Sequence, residues 1–464
     1  MSKEKTTLIR GGTVVSATGT ARHDLLVRGE QIAAVGPLGN VPADETIDAA
    51  GLLVLPGAVD THVHFNDVFM NTVSVHDYES GTRAAAFGGV TSVVDFSNQA
   101  PGRRLIETLE TKFAEAEGRS FVDWSIHPVI TDPTPETLDE IPLLVGRGAP
   151  TFKIYMTYRG EGLMVDEEDM RRILSRLRTA KGMLLVHAED NTLVEDGTEL
   201  FHLCGRTEAI YHARSRPPET ENAAIRHAIE AARVTGGRLF IVHMATAQGL
   251  EAVAAARAQG IHVLAETCTH YLVFTEDILK REDGIKWICS PPLREASIQA
   301  ALWRGLADGR LALVSSDDAA YSWEAKLFGK DRFDLCPNGI PGIEVRLSLL
   351  YSEGVAKGRL TLPRFVELIA AAPARLFGLA PRKGALQPGA DADIVLFDPS
   401  ARWTMGLETL HQATDWSAYE GIEINGRIVR VLSRGETIID DGRIHAEKGR
   451  GRFLHRSLSD ESGS

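Results

Sequence analysis

Cysteine is scarce. The 464 residues hold four, Cys204, Cys268, Cys289 and Cys336, far apart and without a CxxC pair, which excludes a disulfide framework and a thiolate metal site. Free thiols in a reducing compartment are expected. Long hydrophobic runs are missing as well: nothing approaches an uncharged span of about 18 residues, and "MSKEKTTLIRGG" has no apolar core behind its lysines. Neither a membrane span nor a signal peptide is expected, and a cytoplasmic location follows. A basic stripe is also lacking. The formal charge is −13 with no block of five like charges, so nucleic acid and anionic membrane would be repelled. A small neutral or weakly charged molecule is the expected partner.

What is present is an ordinary globular composition, 44% hydrophobic and 24% charged, with 43 glycines that suit an α/β chain of many turns. The length calls for a large barrel or two domains. Near the start, "TTLIRGGTVVSATG" and "HDLLVRGEQIAAVGPLG" alternate short β-like runs with turns, and "DADIVLFDPS" and "EGIEINGRIVRVLSRGETIIDDGRI" repeat that texture near the end. Each end is too small to fold alone, so the two are expected to pair in one β domain. Between about Leu55 and Phe377, short apolar runs such as "GVTSVVDF", "PTFKIYMTY", "GMLLVHAED" and "GRLFIVHMA" alternate with amphipathic helical stretches. About eight such units in roughly 320 residues predict a parallel (β/α)8 barrel. An open doubly wound sheet is the rival, but no GxGxxG follows a strand. The expected division is 1–55 and 377–464 for the β domain and tail, and 56–376 for the barrel. The final "SLSDESGS" is expected to fray.

Several βα strands end in a residue able to bind a metal, and in a barrel those ends meet on one face. In "GAVDTHVHF", His62 and His64 stand at i and i+2 and share one side of a strand. His187 closes "LLVH", His243 closes "LFIVH", and Asp317 closes "LALVSSD". Any one of these is more often a satisfied core residue than a ligand. Together they are harder to dismiss, because buried histidine and aspartate need partners and a metal is a partner they could share. Imidazole with carboxylate suits Zn2+ first, with Mn2+, Fe2+, Ni2+ or Co2+ possible in the same set. Lys153 lies between the His62 and His187 strands, amid Phe152, Ile154, Tyr155 and Met156. An ammonium there is a surface group, an ion-pair partner, or chemically changed; the neighbours conflict with the surface reading. A neutral lysine amine can add carbon dioxide to give a carbamate, an anion with two oxygens able to bridge two metals.

The ordered set resembles the cyclic amidohydrolases of the amidohydrolase superfamily, specifically the hydantoinase and dihydropyrimidinase group. The likeness runs over nearly the whole chain, through "GLLVLPGAVDTHVHF", "DYESGTRAAAFGGVTSVVDF", "TFKIYMTYRG", "VHAED", "HARSRPPETENAA", "IVHMAT", "AETCTHYL", "CSPPLR", "NGIPGIEVRLSLLYSEGV" and "KGALQPGADADIVLFDP". It implies a (β/α)8 TIM-like barrel with a β-sandwich built from both termini, and a homotetramer. It implies two divalent ions, most simply zinc, bridged by a hydroxide and by N6-carboxylysine at Lys153. His62, His64 and Asp317 would hold one ion and His187 and His243 the other. The implied reaction is hydrolytic opening of a hydantoin or dihydropyrimidine to an N-carbamoyl amino acid, with Asp317 as general base and acid and Tyr158 stabilising the oxyanion. The backbones of Ser290 and Asn338 would read the ring.

Some positions carry plainer expectations. His212, Arg216, Glu221 and His270 are expected to orient loops or ligands, and Asp391 and Asp393 to be turn residues. Asp318 stands where many relatives carry histidine or glutamine; it would back the metal site, face a polar substituent, or face solvent. "HVHFND" resembles allantoinases, so an allantoinase or another cyclic imide hydrolase is the alternative reading. A dihydroorotase fits less well, because Asn66 stands where an arginine would grip a carboxylate. A non-catalytic scaffold relative would have lost ligands, and here every ligand position is filled. The loops 65–72 and 158–166 are expected to shape stereochemical preference.

Overall fold

The computed structural model describes residues 4–100 and 102–459. Eight strands form one parallel sheet in chain order: β1 (Ala58–Val63), β2 (Val90–Asn98), β3 (Asp123–Val129), β4 (Thr151–Tyr155), β5 (Met183–His187), β6 (Leu239–Ile241), β7 (Val263–Cys268) and β8 (Leu313–Ser315). The sheet closes on itself. Past β8, Asp318 bridges Val63 in parallel, with His64 N donating to Asp318 O at 3.0 Å and Asp318 N to His62 O at 3.3 Å. Buried Arg346 staples the same seam, donating to Val314 O on β8 at 2.7 Å and Val59 O on β1 at 3.1 Å. The predicted barrel forms, and the open-sheet rival does not.

The strands are buried on both faces, which explains their nearly unbroken apolar runs. Alternation still separates the two sides. On β4, Phe152 and Ile154 belong to the outer core between strands and helices, whereas Tyr155 joins the inner cluster of Phe96, Val129, Leu185, Phe240, Leu264 and Leu313. Lys153, two before Tyr155, therefore faces the barrel interior. The outer helices form for local reasons too. In Glu167–Ala180 the Asp166 side chain accepts from Asp169 N, three acidic residues fill the first turn, and Met170, Ile173, Leu174 and Leu177 make one buried stripe.

Both termini build the sandwich. One sheet orders Gln31–Gly36, Asp24–Arg28, Thr6–Arg10 and Glu45–Asp48; in the other, Leu53–Pro56 pairs antiparallel with Ile394–Phe397 of the C-terminal part. Ile9, Leu25, Val27, Ile32, Val54, Ile394, Leu396 and Leu432 form the apolar core of this part. Among the described residues no helix is long and apolar enough to cross a membrane.

Two expectations change. Asp391 and Asp393 are more than turn residues: with Asp123 at the start of β3 they surround the buried Lys383 Nζ at 2.9, 2.8 and 2.6 Å. Arg434 reaches Asp123 at 3.2 Å, so this charge cluster ties sandwich to barrel. The end of the chain is also better held than its polar letters imply. Leu454 N donates to Trp124 O at 2.7 Å, and the fully buried Arg456 donates to Ser125 Oγ and Thr151 Oγ1, both at 2.8 Å, beneath the N-terminal ends of β3 and β4. Leu458 packs into the inner cluster, so the start of "SLSDESGS" is not frayed; residues 460–464 lie outside the described residues.

Removing one partner of a buried ion cluster strands the others, so Lys383→Met is expected to lower the unfolding free energy by about 3–5 kcal/mol in urea titrations. Burial alone would raise the Asp123 pKa, but Lys383 and Arg434 hold it below the usual carboxylate value. A depressed folded-state pKa stabilises above the unfolded value of about 4 and loses that contribution as pH falls, so the wild-type advantage over Lys383→Met is expected to shrink on acidification.

Candidate metal centre and active site

Functional side chains converge where the strands end. His62, on β1, and His64, one residue past its end, both face inward, their rings 5.3 Å apart. Asp317, two residues past β8 at φ 50°, places Oδ1 3.0 Å from His62 Nε2 and 3.4 Å from His64 Nε2. These residues offer donor atoms within 4.8 Å of one another. His62 Nε2 is buried and, despite its nearness to Asp317, makes no hydrogen bond. His187 ends β5 and His243 stands two past β6 at φ 40°; their rings are 4.5 Å apart, and His243 Nδ1 is buried without a partner. They form a second pair beside the first group, 5.5 Å from the His62 ring to the His243 ring.

Lys153 is 1% exposed, with Nζ 4.5 Å from the Phe96 ring centre and 4.9 Å from that of Tyr155, which removes the surface reading. Burial brings its pKa down to about 8, against the opposing pull of Asp317 and Glu266. Asp317 is the reverse case. Burial disfavours its charge, but His62 and His64 outweigh this and hold the carboxyl well below its ordinary value.

Carboxylates behind the histidines fix their orientation. His62 Nδ1 meets Glu266 Oε1 at 2.6 Å, His64 Nδ1 meets Asp67 Oδ2 at 2.9 Å, and His187 Nε2 meets Glu189 Oε2 at 2.8 Å. Each bond leaves the opposite ring nitrogen for the centre, as metal-ligating histidines require. Burial would raise the Glu189 pKa, but Arg216, 3.0 Å away, and His187 take it down to about 2. Burial would lower that of His64, but the bonds to Asp317 and Asp67 lift it to about 9. Sequence reading missed Glu266, Asp67 and Glu189. A signal existed for two: Glu189 is two past His187, and Glu266 shares an inward face of β7 with Cys268.

Arg216 orients Glu189, in keeping with its expected supporting role. His212 Nε2 bonds Cys289 O at 2.9 Å, and Glu221 accepts from Ala245 N at 2.8 Å; both support loops. His270 lies with Cys268 beside Asp317, its two ring nitrogens unpartnered. Asp318 faces neither solvent nor the cavity. It takes His76 Nδ1 at 2.6 Å, Gly342 N at 2.7 Å and Ile343 N at 3.1 Å, which locks the barrel seam next to Asp317.

His64, Lys153, Tyr158, His187, His243, Ser290, Asp317 and Asn338 line one cavity. Tyr158 sits at φ 66° with its hydroxyl accepting from Asn338 Nδ2 at 3.3 Å; burial pushes the phenol up to about 12, so it stays a donor at neutral pH. Non-glycine residues with positive φ cost roughly 1–3 kcal/mol each and persist where surrounding structure enforces them. Tyr158, His243 and Asp317 all do so at this cavity. Unpartnered imidazole nitrogens beside a carboxylate and a depressed lysine are a donor set that fits divalent metal.

A model of the amidohydrolase family matches residues 53–438. A D-phenylhydantoinase of Escherichia coli is 42% identical over 457 residues, covering 97% of this chain and 98% of that one. A D-hydantoinase of Geobacillus stearothermophilus is 38% identical over 456 residues, covering 97% of each. The crystal structure of a dihydropyrimidinase from Brevibacillus agri superposes with a TM-score of 0.96 at 37% identity, over 98% of this chain and 99% of that one. The family implies a binuclear divalent-metal site, and the residues above are its candidate ligands. With its family match extending over the whole barrel and much of the C-terminal part of the sandwich and its likeness to relatives running nearly end to end, the chain belongs to the amidohydrolase family.

Proposed function

We propose that the protein hydrolyses a C–N bond of a cyclic amide or ureide, opening a 5-substituted hydantoin or a dihydropyrimidine to an N-carbamoyl amino acid. The carrying observation is the inward-facing, buried Lys153 set among His62, His64, His187, His243 and Asp317. His62, His64 and Asp317 would hold one divalent ion and His187 and His243 the other, zinc before its neighbours, with Lys153 carboxylated between them. Two bound ions would lower the pKa of a shared water and polarise the substrate carbonyl.

The chain's own residues do the rest. Asp317, kept ionised by its histidines, accepts the proton of the attacking water and returns it to the departing ring nitrogen. Tyr158 donates from its hydroxyl to the oxyanion that develops on the carbonyl. The main chains at Ser290 and Asn338 hold the NH–C=O edge of the ring. Phe69, Tyr155, Leu163 and Tyr321 give the cavity an apolar, largely aromatic wall that suits an aromatic or bulky ring substituent better than the polar ureido group of allantoin. The same reading carries a homotetrameric cytoplasmic enzyme divided at 1–55, 56–376 and 377–464, with the loops 65–72 and 158–166 shaping stereochemical preference.

Metal analysis of protein made with bicarbonate and without chelator is expected to give about two divalent ions per chain, and Lys153→Ala to lose the second; protein with none contradicts the mechanism. In a turnover panel, a dihydropyrimidine or a 5-substituted hydantoin is expected to open, and a panel in which allantoin alone reacts would overturn the substrate assignment. Tyr158→Phe is expected to cut kcat about 100- to 1000-fold with little change in KM, as loss of an oxyanion donor does.

A further inference from the structure

Lys326 is a second buried lysine, 0% exposed, and it lies outside the metal group. It ends the short helix Trp323–Lys326, whose start is capped by Ser322 Oγ accepting from Ala325 N at 3.2 Å and pinned by Trp323 N donating to Asp415 Oδ1 at 2.9 Å. Its Nζ donates to two main-chain carbonyls, Ile288 O and Pro337 O, each at 2.9 Å. The Trp416 ring centre stands 5.8 Å away. Among the described residues no carboxylate pairs with it. An ammonium buried against neutral carbonyls is costly, and an apolar side chain of the same length would fill the space at less cost. What the charge supplies is a fixed geometry.

The two carbonyls mark where that geometry matters. Ile288 leads into Cys289 and Ser290, and Pro337 into Asn338 and Gly339, all four of which line the active-site cavity. The segments are remote in sequence and are cross-linked behind the cavity by Lys326 and by Gly339 N donating to Ile288 O at 3.0 Å. We propose that Lys326 is a positioning residue that clamps the two main-chain segments reading the substrate ring at one separation. This rests on the assignment of ring reading to Ser290 and Asn338. A site of this kind works only when its groups are held within about half an ångström of their productive places. Loosening the clamp weakens ring binding while leaving the metal ligands and the proton-transferring Asp317 in place.

The test compares wild type with Lys326→Met, which keeps the stem and removes every donor, and Lys326→Gln, which keeps amide donors on a shorter stem. For a 5-benzylhydantoin, Lys326→Met is expected to raise KM about tenfold or more with kcat within about threefold, and Lys326→Gln to fall between. Metal content is expected to stay at the wild-type value. Without substrate, amide hydrogen exchange is expected to quicken at 288–290 and 338–339 but not along β5. Should Lys326→Met fail to fold, Lys326→Gln is held to the same criteria. An unchanged KM in a folded variant overturns the proposal, as does a fall in kcat at constant KM, or exchange no faster than wild type. Wild-type turnover in the same assay keeps the two ideas apart: a wild type that opens no ring defeats the assignment of the reaction, whereas unchanged exchange in the variants defeats the clamp.

Discussion

The structure turns on one constraint: an ammonium buried inside a barrel needs hydrogen-bond acceptors or a counter-charge to rest against. Lys153 faces inward because strand alternation sends Phe152 and Ile154 to the helices, and its Nζ lies against the Phe96 and Tyr155 rings. Burial accordingly weakens its hold on the proton. The histidines around it face a matching problem, with His62 Nε2 and His243 Nδ1 buried and unpartnered. A pair of divalent ions and a carboxylated lysine would resolve both at once, since the lysine becomes an anion and the imidazoles gain partners.

The frame around this centre is built to resist movement. Asp318 and Arg346 close the barrel at the seam from which His62, His64 and Asp317 project. Glu266, Asp67 and Glu189 orient the imidazoles from behind. On the substrate side, Lys326 occupies the corresponding place behind the main chain. Hydrogen bonds among buried polar groups rigidify a site, and the strained backbone at Tyr158, His243 and Asp317 is sustained by that rigidity.

How much of this the sequence discloses depends on the range of the interaction. The barrel was legible because its apolar runs and helical stripes are local, and the ends of β5, β6 and β8 were legible because a polar letter ends an apolar run. Lys153 stood out by contradiction with its neighbours. The partners of the histidines were hidden, because His62 and Glu266 meet only when β1 and β7 line the same barrel. Asp391 and Asp393 resemble turn residues for the same reason: Lys383 and Asp123 come to them from elsewhere in the chain. Asp318 could not be placed by residue type, since its acceptors' donors lie at His76, Gly342 and Ile343. At the C-terminus, Arg456 and Leu458 are buried by contacts with strand starts and inner-barrel residues that polar composition does not reveal.

The central claim concerns the chemical state of Lys153, and 13C NMR of protein reconstituted with metal in 13C-bicarbonate addresses it directly. The expected result is one slowly exchanging carbamate carbon per chain, absent from Lys153→Ala. Protein that carries its full complement of metal and turns over substrate with no carbamate carbon would contradict it.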